Sequence, residues 1–137
     1  MITLKQFVDE KGKSPVQTHY DEGTVELRTT FDVATSYLIA QTRGDWRRPS
    51  AAKLMLGKGF RDYFEIRFMS GKLQQRPIGY FHPDDKTFVL LLWATEKGGS
   101  LDPAKWKSIA DKRRKLIEGG TLCPKIFERE CDQDENA

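Results

Sequence analysis

Alternation of apolar and polar residues across residues 60–69 predicts a strand with one covered face. Most even-numbered positions in this segment are apolar, which is the period of two that a half-buried strand requires. The odd-numbered positions are polar or amphipathic and carry Arg61, Tyr63, Glu65 and Arg67. The pattern therefore places an apolar face against a core and an ionic face on the other side of the sheet.

The next strand is predicted to return beside the first through a two-residue turn at Ser70-Gly71. That turn pairs Glu65 with Arg76 and Arg67 with Gln74 in an antiparallel ladder. Because paired residues point to the same side of a sheet, four polar side chains would gather on one surface.

Two helices and a central strand complete the predicted core. Residues 87–95 are apolar at both parities after the turn formers of residues 82–85, so this strand should be covered on both sides. Apolar residues at helical spacing predict a helix over residues 25–42. A second helix should start with Asp102 as its N-cap and Pro103 as its first residue, and it should stop at Gly119-Gly120.

The pattern near the N-terminus is weaker. A helical turn is predicted from Leu4 to Val8, a short edge strand from Val16 to Tyr20, and a brief turn over residues 51–55 capped by Pro49-Ser50. The fold class is α+β: an N-terminal helical part packed on a three- to four-stranded, mainly antiparallel sheet, with a C-terminal helix.

Length and charge indicate one domain over residues 1–120 and a polar acidic tail over residues 121–137. The last ten residues hold five acids and one base, which leaves 22 basic and 15 acidic residues, a net charge of +7, in residues 1–127. A basic body attracts polyanions such as nucleic acid. The tail is expected to be solvated and disordered, or else to shield the basic face.

Several kinds of site are not expected. The two cysteines, Cys123 and Cys131, lie in a polar tail without zinc-ligand spacing, which favours a reducing cytoplasm. Two isolated histidines do not predict a multi-histidine metal site, and nucleotide-binding or hydrolase motifs are absent. The longest apolar run, residues 88–94, is too short to cross a bilayer. We expect no metal, no small-molecule cofactor and no membrane partner.

The order of short motifs over roughly residues 30–118 resembles the RelE/ParE superfamily of bacterial type II toxins, in particular its phage-derived HigB-like branch. The segments that carry the resemblance are Trp46-Arg47-Arg48-Pro49, Glu65-Ile66-Arg67, Arg76 to Phe81, Phe88 to Leu92, Ala94 to Gly98 and Arg113-Arg114. The resemblance implies a RelE-like fold and a cytoplasmic toxin that enters the ribosomal A site and cleaves mRNA without a metal. It also implies a helix-turn-helix antitoxin as the partner that neutralises the toxin.

Metal-free cleavage of RNA needs a base, an acid and cations that stabilise the phosphorane. By the resemblance, and because arginine matches phosphate geometry, the candidate catalytic residues are Arg67, Arg76, Lys97 and His82. His82 qualifies as the general acid or base because its ordinary pKa is near neutral. The candidate RNA-binding residues are Arg61, Lys72, Tyr80 and Glu65, with Tyr80 stacking on a base.

Other interpretations stay open at this point. Glu65 and Arg76 could form an ordinary cross-strand ion pair, and Tyr80 could simply cap the sheet. Some RelE-like nucleases depend on a tyrosine near their C-terminus, whereas the last tyrosine here is Tyr80, and Glu96 stands where relatives often hold a basic residue. The alternative functions are a ParE-like gyrase inhibitor and a catalytically inactive, phage-derived interaction module.

Overall fold

A computed structural model describes residues 1–47, 52–54 and 62–134. Within those ranges the chain forms one mixed sheet with helices on both faces, which confirms the α+β class. The strands are β1 (Thr3–Gln6), β2 (Ala52–Leu54), β3 (Tyr63–Ile66), β4 (Phe68–Ser70), β5 (Leu73–Phe81), β6 (Thr87–Lys97), β7 (Ser100–Asp102) and β8 (Lys125–Ile126). The helices are α1 (Pro15–Asp21), α2 (Val25–Ile39), a 3-10 helix (Arg43–Arg47), α3 (Trp106–Glu118) and α4 (Glu130–Asp134).

The sheet is larger than the three to four strands expected. Its order is β2-β3-β5-β6-β1-β8, with β4 also paired to β5 and β7 to β6. All of these pairings are antiparallel except that of β1 with β6, which is parallel. The additional strands β1, β2, β7 and β8 have four residues or fewer, which is too short for a recognisable alternation of apolar and polar residues.

The long strand β6 separates two cores. Phe88 and Trp93 pack with α2 on one face, whereas Leu91 and Ala94 pack with α3 on the other. Every side chain from Phe88 to Ala94 is buried, which confirms the prediction of a strand covered on both sides.

A bulge changes which residues of β6 face each core. Gly79 pairs with Leu90 and Ile78 with Leu92, so Leu91 is the extra residue. A glycine is required at position 79, because a Cβ there would lie 2.2 Å from the carbonyl oxygen of Val89. The carbonyl of Leu91 accepts a hydrogen bond of 2.7 Å from Arg113 Nη1, which ties α3 to the irregular point of the sheet.

The two long predicted helices are found, but the predicted start of the second one and the short N-terminal predictions are wrong. Asp102 belongs to β7, where it pairs with Thr95, so α3 begins only at Trp106 with Lys105 as its N-cap. Residues 3–6 form β1 instead of a helical turn, because Leu4 and Gln6 alternate inward and the strand extends the sheet beside β6. Residues 15–21 form α1 instead of an edge strand, since Pro15 starts the helix and Val16 and Tyr20 bury one face at helical spacing. Residues 52–54 form β2 rather than part of a turn, and the cap predicted at Pro49-Ser50 lies outside the described residues.

The C-terminal segment packs against the rest of the domain, so the expectation of a solvated tail is wrong for residues 125–134. Phe127 is 2% exposed, and its ring lies 5.2 Å from those of Tyr20 and Phe31. Arg129 is also buried and donates hydrogen bonds of 2.9 Å to the hydroxyls of Thr35 and Ser36. The segment therefore completes the core on the α2 side.

Among the helices that the structure describes, none has the length and apolar content needed to cross a membrane.

Candidate functional site

Glu65 lies at the centre of an ionic cluster on the α3 side of the sheet. Its Oε1 is 3.7 Å from Arg67 Nε and 3.8 Å from Arg76 Nε. Arg76 also donates to the carbonyl oxygen of Gln75 at 2.9 Å and to the side-chain oxygen of Gln74. The predicted gathering of polar side chains on one face of β3 and β5 is therefore found, and we call Glu65, Arg67, Gln74 and Arg76 the arginine cluster.

The two arginines of the cluster differ in exposure. Arg76 is 4% exposed, whereas the Arg67 side chain is 39% exposed. Burial lowers the pKa of Arg76, and the nearby carboxylate of Glu65 opposes that shift. Of the two arginines, only Arg67 therefore presents a substantial cationic surface to a ligand. Arg76 forms a buried ion pair with Glu65 that holds the cluster in place.

The turn lies one residue further along the chain than predicted, which changes the pairing register of the two strands. The turn residues are Gly71 and Lys72, both with positive φ (61° and 64°), the geometry of a type I′ hairpin. Glu65 consequently pairs with Ile78 rather than Arg76, and Gln74 pairs with Met69 rather than Arg67. The cluster still forms, because the shift keeps every residue on its own face and makes Glu65 and Arg76 diagonal neighbours.

Lys97 does not join the cluster. It has the parity of Trp93, whose ring packs on the α2 side, whereas Arg76 pairs with Ala94 on the α3 side. Its Nζ lies 3.6 Å from Asp102 Oδ2 at the exposed end of the β6–β7 hairpin. On the α3 face, Gln74 pairs instead with Glu96, whose charge also acts on Arg76.

His82 lies at the opposite end of β5 from Arg76. Six residues at about 3.3 Å each put roughly 20 Å between their positions in an extended strand. Its Nδ1 accepts a hydrogen bond from the backbone N–H of Asp84 at 3.2 Å. The structure therefore does not bring His82 together with Arg67 and Arg76, and one reaction centre cannot use all three.

Tyr80 is buried beneath α3. The guanidinium of Arg114 lies 4.3 Å from the centre of its ring, and burial raises the pKa of its hydroxyl. Its ring is covered by protein and is closed to a stacked base, so the interpretation of Tyr80 as a residue that caps the sheet is the one the structure favours.

Two of the remaining RNA-binding candidates, Lys72 and Glu65, lie on the antiparallel strands β3 to β5 and the turn between them. Lys72 is exposed in the β4–β5 turn, and Glu65 is buried at the centre of the cluster, where it contacts arginines. Arg61 lies outside the described residues. Within the described ranges, no group of three or more His, Cys, Asp or Glu side chains is placed to hold a metal ion.

Sequence reasoning missed a cavity of about 570 Å³ at the C-terminal end of α3. It lies between β1, the β5–β6 turn, α3 and the loop that follows α3, and both Tyr80 and His82 line it. No motif could have revealed it, because its walls come from four separate segments of the chain.

No family model, curated protein or solved structure matches the chain.

Proposed function

We propose that this protein is the toxin of a type II toxin–antitoxin pair and acts in the cytoplasm as a ribosome-dependent mRNA endoribonuclease. The resemblance of its motifs to the HigB-like branch of the RelE/ParE superfamily supports the proposal. The structural observation that carries it is the arginine cluster, in which Glu65 holds the half-exposed guanidinium of Arg67 beside a second, buried arginine.

In this proposal Arg67 contacts the scissile phosphate and stabilises its developing negative charge. Arg76 is a positioning residue, because its buried side chain fixes Glu65 and thereby Arg67. Lys72, exposed in the adjoining turn, extends the cationic surface along the RNA backbone. A helix-turn-helix antitoxin neutralises the toxin, and the chemistry uses no metal and no small-molecule cofactor.

Growth assays with one matched control test the proposal. The wild-type chain, induced in a bacterial host without a partner, should arrest growth and produce new 5′ ends within translated mRNA. Arg67→Ala should relieve both effects without changing the melting temperature, because it removes a half-exposed group. Arg43→Ala serves as the control, since Arg43 is also a half-exposed, ion-paired arginine, 2.5 Å from Asp85 and apart from the cluster.

Two outcomes would contradict the proposal: a wild-type chain that is harmless, or an Arg67→Ala variant as toxic as the wild type. Arg76→Ala is a poor functional test. Its side chain is buried, so a loss of toxicity could follow from a loss of stability.

The second candidate is an interaction module of the same ancestry that binds a protein such as gyrase without cutting RNA. The position of His82 favours it, because the residue expected to transfer protons lies at the far end of β5 from the cluster. Mapping of mRNA ends distinguishes the two, since gyrase inhibition would induce the DNA-damage response and leave mRNA intact.

A further inference from the structure

The cavity at the C-terminal end of α3, which we call the α3-end cavity, has a consistently apolar floor. Val89 and Tyr80 of the sheet are almost fully buried there, and Ile117 and Leu122 close the helix side. The guanidinium of Arg114 packs on the Tyr80 ring, 4.3 Å from its centre. A volume of about 570 Å³ falls in the range of small-molecule sites.

The two acids on the rim already have partners. Asp84 Oδ1 accepts hydrogen bonds from the backbone N–H groups of Lys86 at 2.8 Å and Thr87 at 3.1 Å, and these bonds lower the pKa of Asp84. Glu118 lies 3.4 Å from Arg114 Nε. Neither carboxylate is therefore left to receive a cationic ligand without giving up an existing interaction.

Of the two basic groups on the rim, His82 has an acidic neighbour, because its Nδ1 lies 3.4 Å from Asp84 Oδ1, and Lys5 is the more available charge. In the part of the chain that the structure describes, no carboxylate lies within ion-pairing distance of the Lys5 amine. Nδ1 of His82 accepts the N–H of Asp84, which leaves the proton of the neutral ring on Nε2, where it can be donated to a ligand.

The helix end beside the cavity does not repel an anion strongly. The carbonyl of Leu116 accepts the N–H groups of Thr121 and Leu122 at 3.0 Å, and that of Ile117 accepts the N–H of Gly120 at 3.1 Å. These hydrogen bonds satisfy carbonyls that would otherwise point toward the site with negative partial charge.

We propose that the α3-end cavity binds a small ligand that combines a flat apolar body with one anionic group. The body lies on the floor formed by Val89, Ile117 and Leu122, and the anionic group lies between Lys5 and His82. An aromatic carboxylate and a nucleoside monophosphate both have this chemistry. The site is separate from the arginine cluster, so the inference does not rest on the proposed function.

Calorimetric titration of the purified full chain tests this inference. Indole-3-carboxylate and uridine 5′-monophosphate are the two probes, and binding of the first, the second or both identifies the source of the ligand. Indole and uridine lack the anionic group, whereas acetate and inorganic phosphate lack the flat body. We expect at least one probe to bind at least about tenfold more tightly than both of its own fragments.

Two variants locate the binding in the cavity. Lys5→Met should weaken the bound probe about tenfold, because it removes the charge and keeps most of the side-chain volume. Cys123→Trp should abolish binding by filling the cavity from an exposed position that a folded chain tolerates. Arg67→Ala should bind as the wild type does, which separates this test from that of toxicity.

The inference is overturned if neither probe binds, if a fragment binds as tightly as its complete probe, or if Lys5→Met leaves the affinity unchanged. Thermal melts of both variants show whether they fold. If Cys123→Trp does not fold, chemical-shift changes in the wild type decide, and shifts confined to residues outside the cavity also overturn the inference.

Discussion

Arg67 and Arg76 show how position alone gives two identical side chains different roles. Both contact the same carboxylate oxygen of Glu65 at nearly equal distances, yet Arg76 is 4% exposed and the Arg67 side chain 39%. Water can replace the interaction between Glu65 and Arg67, because Arg67 is partly exposed. If Arg76 is removed, the buried Glu65 carboxylate loses a buried partner but still bears the free-energy cost of its desolvation.

Arg76→Ala should therefore lower the free energy of unfolding by about 3 kcal/mol or more, and Arg67→Ala by less than about 1 kcal/mol. Urea denaturation followed by tryptophan fluorescence measures both. A double-mutant cycle with Glu65→Gln should give a larger coupling energy for Arg76 than for Arg67. Equal costs for the two alanine variants would show that burial does not distinguish them.

The absence of a side chain at Gly79 has a measurable effect on stability. An alanine Cβ at this position would lie 2.2 Å from the carbonyl oxygen of Val89 and 2.8 Å from the ring of Phe88. Gly79→Ala should cost more than about 3 kcal/mol, because both neighbours belong to the central strand and cannot move apart cheaply. Gly44→Ala, whose nearest contact would be 3.9 Å, should change stability by less than about 0.5 kcal/mol. A thermal melt of Gly79→Ala close to that of the wild type would contradict this.

At the scale of elements, the C-terminal segment is held by a buried polar network as well as by Phe127. Asp32 accepts the hydroxyl of Tyr20 at 2.9 Å and the backbone N–H of Cys131 at 3.2 Å. The hydroxyl of Tyr20 in turn accepts the N–H of Glu130 at 2.8 Å. The first turn of α4 is thus fixed to α1 and α2 through one carboxylate.

Asp32 makes a definite contribution to the pH dependence of stability. Burial raises its pKa above the ordinary value of 3.8, although the hydrogen bonds from Tyr20 and Cys131 oppose the shift. The folded state therefore binds the proton more tightly than the unfolded state does. The contribution of Asp32 to the free energy of unfolding is largest below pH 3.8 and falls as the pH rises through its folded-state pKa.

Asp32→Asn removes this titration and keeps an acceptor for Tyr20. The free energy of unfolding of the wild type minus that of Asp32→Asn should decrease as the pH rises from about the unfolded pKa of 3.8. Urea titrations of both proteins at several pH values measure the difference, and the other acids cancel in it. A difference that grows with pH would contradict the prediction. It would mean that hydrogen bonding affects the pKa of Asp32 more than burial does, so that the pKa is lowered rather than raised.

The apolar run of β6 was sufficient to predict that this strand is buried on both faces, because the pattern is local. Period-two alternation in residues 63–68 predicted one buried face correctly, but the expectation that the other face is uncovered is wrong, since α3 covers it and Tyr63 and Glu65 are buried as well. These patterns could not locate the turn, since Ser70-Gly71 and Gly71-Lys72 both place a glycine where positive φ is needed. The pairing of β1 and β8 was not predictable either. It joins residues from opposite ends of the chain, and the segment around Phe127 is otherwise polar.

The difference between local patterns and contacts of distant residues also explains which residues of the candidate site were predicted correctly. The arginine cluster was predictable because its members lie on one hairpin and share a parity. Lys97 lies on the opposite face of the sheet from the arginine cluster because of the bulge at Leu91. This bulge changes whether even- or odd-numbered residues of β6 point to a given face, between Leu90 and Leu92. The register shift lies between Ile78 and Gly79, and the only local sign of it is a glycine within a strand, which does not say which residue of the partner strand is the extra one.

For the molecule as a whole, the charges are segregated. Acids of the C-terminal segment pair with arginines on the α2 side: Glu130 lies 2.6 Å from Arg28 and Asp132 lies 2.7 Å from Arg129. On α3, Lys112 and Lys115 are exposed at helical spacing, and Glu118 is engaged with Arg114. A polyanion would therefore be attracted more strongly to the α3 side, the side that also carries the arginine cluster.

Charge reversal on α3 tests this asymmetry. Lys112→Glu/Lys115→Glu should weaken the association of single-stranded RNA and reduce the slope of log affinity against log salt by about 0.7 for each phosphate that the variant no longer neutralises. Lys86→Glu/Lys125→Glu changes the net charge equally at exposed sites outside α3 and should have a smaller effect on both quantities. Fluorescence anisotropy of labelled RNA over a salt series measures both. If the affinity of the two double variants falls equally, net charge rather than the α3 surface governs the attraction, because only a localised interaction distinguishes proteins of equal charge.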